Sequence, residues 1–395
     1  MSRWELTQTE QQSLREFLHR LVSTPSPSGH EGALAASILE EMERLGYDEA
    51  WMDGAGNVVG RIGPTTGPIL MLNSHMDTVD ISEPQTWSVD PYGAVEREGR
   101  LYGLGAADMK GGLAATVHGA ALLARRRDEL SGSVLVACVG LEEPSEGTGT
   151  RALLADERLR PDWVVIAEPS DLHVVRAQRG HLEMMLTIKG RSAHSSTPEL
   201  GENAIYAGAR LLFGLEILAD QLMTDPFLGP GVLAVTEISS HSASRNAIPD
   251  RCDMFLDRRL TIGETEAMAL LEVQRIIARE GVDADVRVIE HEVTTHTGQV
   301  LPARRASLPW AFDERHPLVQ AMLQAARDVG LRPGVTRWCF ATEGAYTAAV
   351  ARVPTVGFGP GDPSLVHRSD EYVGLKQVYA AAQAYAALAE RLLIG

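Results

Sequence analysis

The 395-residue chain has no CxxC pair, no apolar run long enough to span a bilayer and no surplus of basic residues. Its three scattered cysteines, Cys138, Cys252 and Cys339, cannot all pair with one another. A disulfide framework is therefore excluded, and buried thiols in a reducing, cytoplasmic setting are expected. Without a membrane-length run there is no spanning helix to expect. The opening "MSRWELTQTEQQSLREFLHRLV" lacks the apolar centre of an export signal and reads as an amphipathic helix. With 53 acidic against 36 basic residues the net charge is -17, which argues against nucleic acid and anionic membranes as partners. Two signatures of other enzyme classes are missing as well. There is no G-x-S-x-G and no GKS or GKT, and "GLGAAD" puts Asp108 where a dinucleotide loop has its third glycine, so a pyrophosphate would be repelled.

What is present is an ordinary soluble composition, 44% hydrophobic and 23% charged, at a length that predicts two or three domains. Apolar runs at 68–73, 133–140, 162–168 and 353–359 read as strands, and helical patterns separate them. This predicts an α/β fold with a mixed, mostly parallel sheet flanked by helices. The middle of the chain differs. Strand-like stretches at 181–190, 231–240, 250–261 and 283–293 enclose helical stretches at 203–222 and 263–280. The order β-α-β-β-α-β is that of a ferredoxin-like unit. An inserted lid or dimerisation domain at 181–299 is expected, with a discontinuous catalytic domain at 1–180 and 300–395.

In open α/β sheets, ligands bind beyond the carboxyl ends of the strands. The first run ends at His75 and Asp77, which share a side of an extended segment. The second ends at Glu142 and Glu143, the third at Glu168, and the fourth leads through "GPGDPSLVHRSDEY" to His367. Asp108 precedes the long helical stretch. A lone His-x-Asp is usually a polar turn, but every strand here delivers an acid or imidazole to one edge. Such a cluster repels itself unless a cation lies within it, and imidazole with carboxylate suits zinc or a similar divalent ion. One ion would leave buried acids unpaired; two ions sharing a carboxylate would not.

"SHMDTV", "GLGAADMKGG", "LEE", "AEPSD" and "GPGDPSLVHRSDEYV" occur in the order found in the co-catalytic metallohydrolase family. Acetylornithine deacetylase, succinyl-diaminopimelate desuccinylase, aminoacylase and glutamate carboxypeptidase are members, and the resemblance runs from about residue 20 to the end of the chain. "SRNAIPDRCDMFLDRRLTIGET" and "HPLVQAM" further resemble a subgroup of selenium-metabolism-linked hydrolases. The resemblance implies a di-metal catalytic domain in which His75, Asp108 and Glu168 hold one ion, and Asp108, Glu143 and His367 the other. The ions are expected to be zinc, with cobalt or manganese as alternatives. Asp77 is then the partner that orients His75. Glu142 is the general base, taking a proton from a water between the ions and passing it to the leaving amine. The loop "PSEGTG" departs from the family's compact turn, and its extra acid, Glu146, is expected to face solvent.

In the lid, "KGRSAHSSTPELGENAI" resembles the family motif whose histidine, here His194, stabilises the oxyanion from a neighbouring subunit. A homodimer through the lid is the implied partner. Asn246 and Arg259 match residues with which relatives grip a substrate carboxylate. Arg258 and Arg259 face opposite sides of their strand, and Arg259 is preferred by motif position. Gly359, Gly361 and the Thr342-Glu343-Gly344 turn are further candidates for the pocket wall. His30, His118, His173, His181, His241, His291, His296 and His316 show no convergent partners, so surface or capping roles are expected. The implied function is hydrolysis of an amide bond in an N-acyl amino acid or dipeptide-like small molecule with a free carboxylate. The alternative is a catalytically inactive metal- or peptide-binding protein of the same fold.

Overall fold

The computed structural model describes residues 3–81 and 83–394. Its centre is a nine-stranded mixed sheet. The four strands expected from the apolar runs form the middle, Ser133–Val139, Ile69–His75, Trp163–Ile166 and Thr355–Gly357, side by side and all parallel. Alternate residues on these strands enter two different cores. Leu70, Leu72, Val134 and Val136 pack towards helices Gly111–Ala121 and Leu375–Leu393. Met71, Leu135, Ala137 and Val139 face the opposite side, with Trp310 and Trp338. Burial on both faces is what makes these strands read as continuous apolar runs.

Antiparallel strands lie to either side: Val58–Ile62 and Glu49–Met52 beyond one end of the parallel set, Val174–Gln178 and Trp310–Ala311 beyond the other. Among the described residues no helix is long and apolar enough to cross a membrane. Cys138 and Cys252 are buried thiols, but Cys339 is exposed, because it follows the short strand Val335–Trp338 into an open turn.

The second sheet is antiparallel, in the order Val232–His241, Arg251–Leu260, Gly180–Lys189, Ala284–Val288. Helices Ala204–Ala219 and Glu266–Glu280 cover one face, giving the ferredoxin-like arrangement. Period-two alternation divides the strands. Leu182, Met184, Leu186 and Ile188, with Cys252, Met254 and Leu256, point to the helices. The last strand differs from the expected 283–293. It breaks at Ile289, and Glu290–Thr294 instead pairs with Val300–Arg304 as a separate hairpin. Only Val293 of that segment is buried, so nothing apolar holds it on the lid sheet.

His118 is a further correction. It is buried, and its Nε2 lies 2.9 Å from Glu41, which also accepts from Arg20 at 2.6 Å. Its partner stands 77 positions earlier, on helix Gly32–Arg44. Burial opposes ionisation of Glu41, but hydrogen bonds from His118 and Arg44 outweigh it and hold the carboxyl at about 2. A depressed carboxyl contributes stability that is full above its ordinary value and is lost as pH falls towards 2. Glu41→Gln is therefore expected to cost about 3 kcal/mol at neutral pH. Chemical denaturation of both proteins across pH should show that deficit shrinking steadily below pH 4.5; a deficit independent of pH would refute the assignment.

Candidate active site

His75 ends the central strand, clamped by parallel neighbours on both sides, and its side chain is fully buried. Its Nδ1 donates to the backbone carbonyl of Asp77 at 2.9 Å. That bond fixes the tautomer and turns the Nε2 lone pair outward. Nε2 meets Asp108 Oδ1 at 3.1 Å and Glu168 Oε1 at 3.4 Å. A lone pair set against two carboxylate oxygens is repulsive unless a proton or a metal cation lies between them.

Asp108 presents its other oxygen elsewhere. Oδ2 lies 3.5 Å from His367 Nε2, and the same nitrogen lies 3.1 Å from Glu143 Oε2. One carboxylate thus faces two imidazoles, one with each oxygen. Donor atoms of His75, Asp108 and Glu143 fall within 4.8 Å of one another, as do those of His75, Glu142 and Glu168. The donor set is hard oxygen with imidazole, and its acids outnumber its bases. It fits a pair of divalent cations.

Backbone anchors hold these groups in place. Asp108 sits in the turn Ala106–Lys110, and its peptide bond to Met109 is cis. Glu371 accepts from the Gly105, Ala107 and Asp108 amides at 3.2, 2.7 and 2.9 Å. Leu141 adopts φ 64°, turning the chain as it leaves the strand Ser133–Val139. Asp77 then receives the Glu142 and Glu143 amides, each at 3.1 Å, and the Ser28 hydroxyl at 2.7 Å. Its carboxylate Oδ1 is 3.6 Å from His75 Nδ1, so the backbone carbonyl makes the shorter contact to the imidazole. Glu31 accepts from Leu141 at 3.2 Å. Gly359 has no room for a side chain: a Cβ there would stand 2.2 Å from the Ala167 carbonyl, one residue before Glu168.

The electrostatics follow from crowding acids out of water. Burial, and then Asp108, push Glu168 up to about 8. Burial raises Glu142 well above the usual range; Glu168, Glu143 and Glu146 add to the rise and His75 opposes it. Burial disfavours charge on His75, but Glu168, Asp108 and Asp77 outweigh it and raise the imidazole well above its ordinary value. The hydrogen bond to Glu143 raises His367 to about 9.

These groups open on a cleft of about 350 Å³ whose far wall includes His181, Glu183, Arg259, Arg305 and Phe340. Arg259 lines the cleft, whereas Arg258 is fully buried on the helix side beside Glu264. His194 and Asn246 are placed together but elsewhere. Ser195 donates its amide to the Asn246 carbonyl at 2.8 Å, His194 Nδ1 contacts the Ser196 hydroxyl at 2.7 Å, and neither residue lines this chain's own cleft. Glu343 is fully buried and also off the cleft wall.

Two expectations are overturned. Glu146 is turned inward, with 13% of its side chain exposed, and pairs with His181 at 3.0 Å. His181 is itself buried and stands within 3.5 Å of Glu183 and 3.3 Å of Asp257. The sequence assigns no role to Glu31, Glu371 or Arg305 and only a surface or capping role to His181. Glu371 alone carried a usable signal, lying four residues beyond His367 in "HRSDEY".

The geometry is matched by relatedness. The model of peptidase family M20/M25/M40 matches residues 71–391. The uncharacterized protein YgeY of Escherichia coli is 35% identical over 380 residues, covering 96% of this chain and 94% of that one. The acetylornithine deacetylase of Proteus mirabilis is 28% identical, covering 91% of this chain and 92% of that one. Among solved structures, Bacillus subtilis YXEP, described as a dinuclear metal binding peptidase of the M20 family, superposes with a TM-score of 0.72 at 18% identity. It covers 98% of this chain and 99% of that one. The chain belongs to peptidase family M20/M25/M40 and is a hydrolase acting on C–N bonds.

Proposed function

We propose that the protein is a two-metal amidase for N-acyl amino acids or dipeptide-like amides that carry a free carboxylate. The observation that supports this most is Asp108, whose oxygens face His75 at 3.1 Å and His367 at 3.5 Å. His75, Asp108 and Glu168 would hold one ion and Asp108, Glu143 and His367 the other; the donor set suits zinc, with cobalt or manganese as substitutes. Such a pair of ions supplies Lewis acidity towards a carbonyl oxygen and lowers the pKa of water.

The chain's own groups do the rest. Asp77 holds the Glu142 amide and so fixes the backbone from which the Glu142 carboxylate faces the cleft. Glu142 accepts the proton of the attacking water on one carboxylate oxygen and returns it to the leaving nitrogen. Arg259 offers a planar fork to the substrate carboxylate. Glu142→Gln keeps the shape of the side chain but removes the base. Hydrolysis across a panel of N-acetyl amino acids and dipeptides is expected to fall about a hundredfold or more at unchanged metal content. Undiminished turnover would remove Glu142 from the mechanism.

His194 is proposed to act from a second copy of the chain. Strand Val232–His241 lies at the end of its sheet, and the adjacent helix exposes Tyr206, Phe213 and Ile217. An unpaired edge beside an apolar stripe suits self-association. Sedimentation should give a dimer. Phe213→Glu is expected to yield monomers with hydrolysis lost, and mixing His194→Ala with Glu142→Gln subunits should restore activity that neither has alone. A fully active monomer would contradict this arrangement.

A further inference from the structure

The face of the lid sheet turned away from its helices carries charge where the other face carries hydrocarbon. His181 and Glu183 lie on strand Gly180–Lys189, and Asp257 and Arg259 lie directly opposite on strand Arg251–Leu260, in the register Arg259 to His181 and Asp257 to Glu183. These residues form a line of close charged contacts. Glu146 Oε1 lies 3.0 Å from His181 Nδ1, and His181 Nε2 lies 3.3 Å from Asp257 Oδ2. Asp257 in turn accepts from Arg259 at 2.9 and 3.0 Å. Negative and positive groups alternate along its whole length.

The two ends of that line matter. Glu146 lies on the turn that begins with Glu142 and Glu143, and the Ser145 amide donates to the Glu142 carbonyl at 3.0 Å within it. Arg259 is the guanidinium on the opposite wall of the same cleft. The geometry points to Glu146, His181 and Asp257 as positioning residues: a strut that fixes Arg259 relative to the turn carrying Glu142 and Glu143. Carboxylate recognition on the lid and presentation of the base are then set by one rigid connection. This rests on the amidase reading for its effect on substrate, but the strut itself does not.

Other features fit a strut better than a chance surface cluster. The side chains of His181 and Glu146 are 9% and 13% exposed, so the pair is sheltered from water and ions. Burial disfavours charge on His181, yet the neighbouring carboxylates of Asp257 and Glu146 outweigh it and raise the imidazole to about 9. A charged imidazole carries a proton on both nitrogens: Nδ1 bonds to Glu146, while Nε2 faces Asp257 at 3.3 Å as a charge contact without an aligned hydrogen bond. Without it, Glu146, Glu183 and Asp257 would be left facing one another.

Two measurements test the strut. Hydrogen exchange of the metal-loaded protein reads the 142–148 amides in Asp257→Asn, a lid variant that does not touch that turn. Exchange there is expected to quicken about tenfold, because the charged contact between His181 and Asp257 is lost. Asp253→Asn, on the same strand and face, should leave the turn unchanged. An unaltered turn in Asp257→Asn, or equal effects of both variants, would overturn the proposal. In the second measurement His181→Gln is assayed on N-acetyl amino acids and on the matching decarboxylated N-acetyl amines. A rise in KM of about tenfold confined to the carboxylate-bearing series supports the strut; equal losses in both series would make His181 merely structural and overturn the link to Arg259. Failure of the wild-type protein to cleave any carboxylate-bearing amide would refute the proposed function instead, with the exchange result still deciding the strut.

Discussion

Asp108 spends its two oxygens on two imidazoles, and much of the surrounding architecture holds it there. Four carboxylates, those of Asp108, Glu142, Glu143 and Glu168, crowd one wall of the cleft around His75 and His367. Two unit charges about 4 Å apart near a protein surface cost about 4 kcal/mol. Protons drawn onto Glu168 and Glu142 relieve part of that cost, as their raised proton affinities express. Two divalent cations would relieve it fully, since their charge equals that of the four acids.

The fold serves this arrangement by rigid delivery. Parallel strands buried on both faces end in register, so His75 and the turn bearing Glu142 emerge as neighbours. Carboxylates that need not touch an ion pin the backbone: Glu371 under Asp108, Asp77 under the acid pair and Glu31 under Leu141. Each caps amide groups that would otherwise be left unpaired in a buried turn. The lid adds the opposite wall. Its alternation sends hydrocarbon to its helices and charge to the cleft, which is why Arg258 and Arg259, adjacent in sequence, occupy such different surroundings.

The parts legible in the sequence were those carried by local pattern. Continuous apolar runs marked the four central strands, and short motifs at their ends marked the clustered acids and imidazoles. Less was visible where tertiary pairing decides. Nothing near His181 announces Glu146, 35 positions earlier, or Asp257 on the neighbouring strand. His118 and Glu41 meet only because two helices pack. The flanking strands Glu49–Met52 and Val174–Gln178 are short or partly polar and gave no clear run. The spacing of His75 and Asp77 predicts a carboxylate partner for the imidazole, but the imidazole bonds the Asp77 backbone carbonyl, and the carboxylate receives the amides of Glu142 and Glu143 in a turn that no spacing rule describes.

The central claim is that one aspartate serves two ions at once. Metal content of the purified protein, wild type and Asp108→Ala, measured after equilibration with zinc and removal of loosely bound metal, tests it most directly. The account predicts two ions per wild-type chain and loss of both together in the variant. One ion in the wild type, or a variant that keeps one of its two, would contradict it.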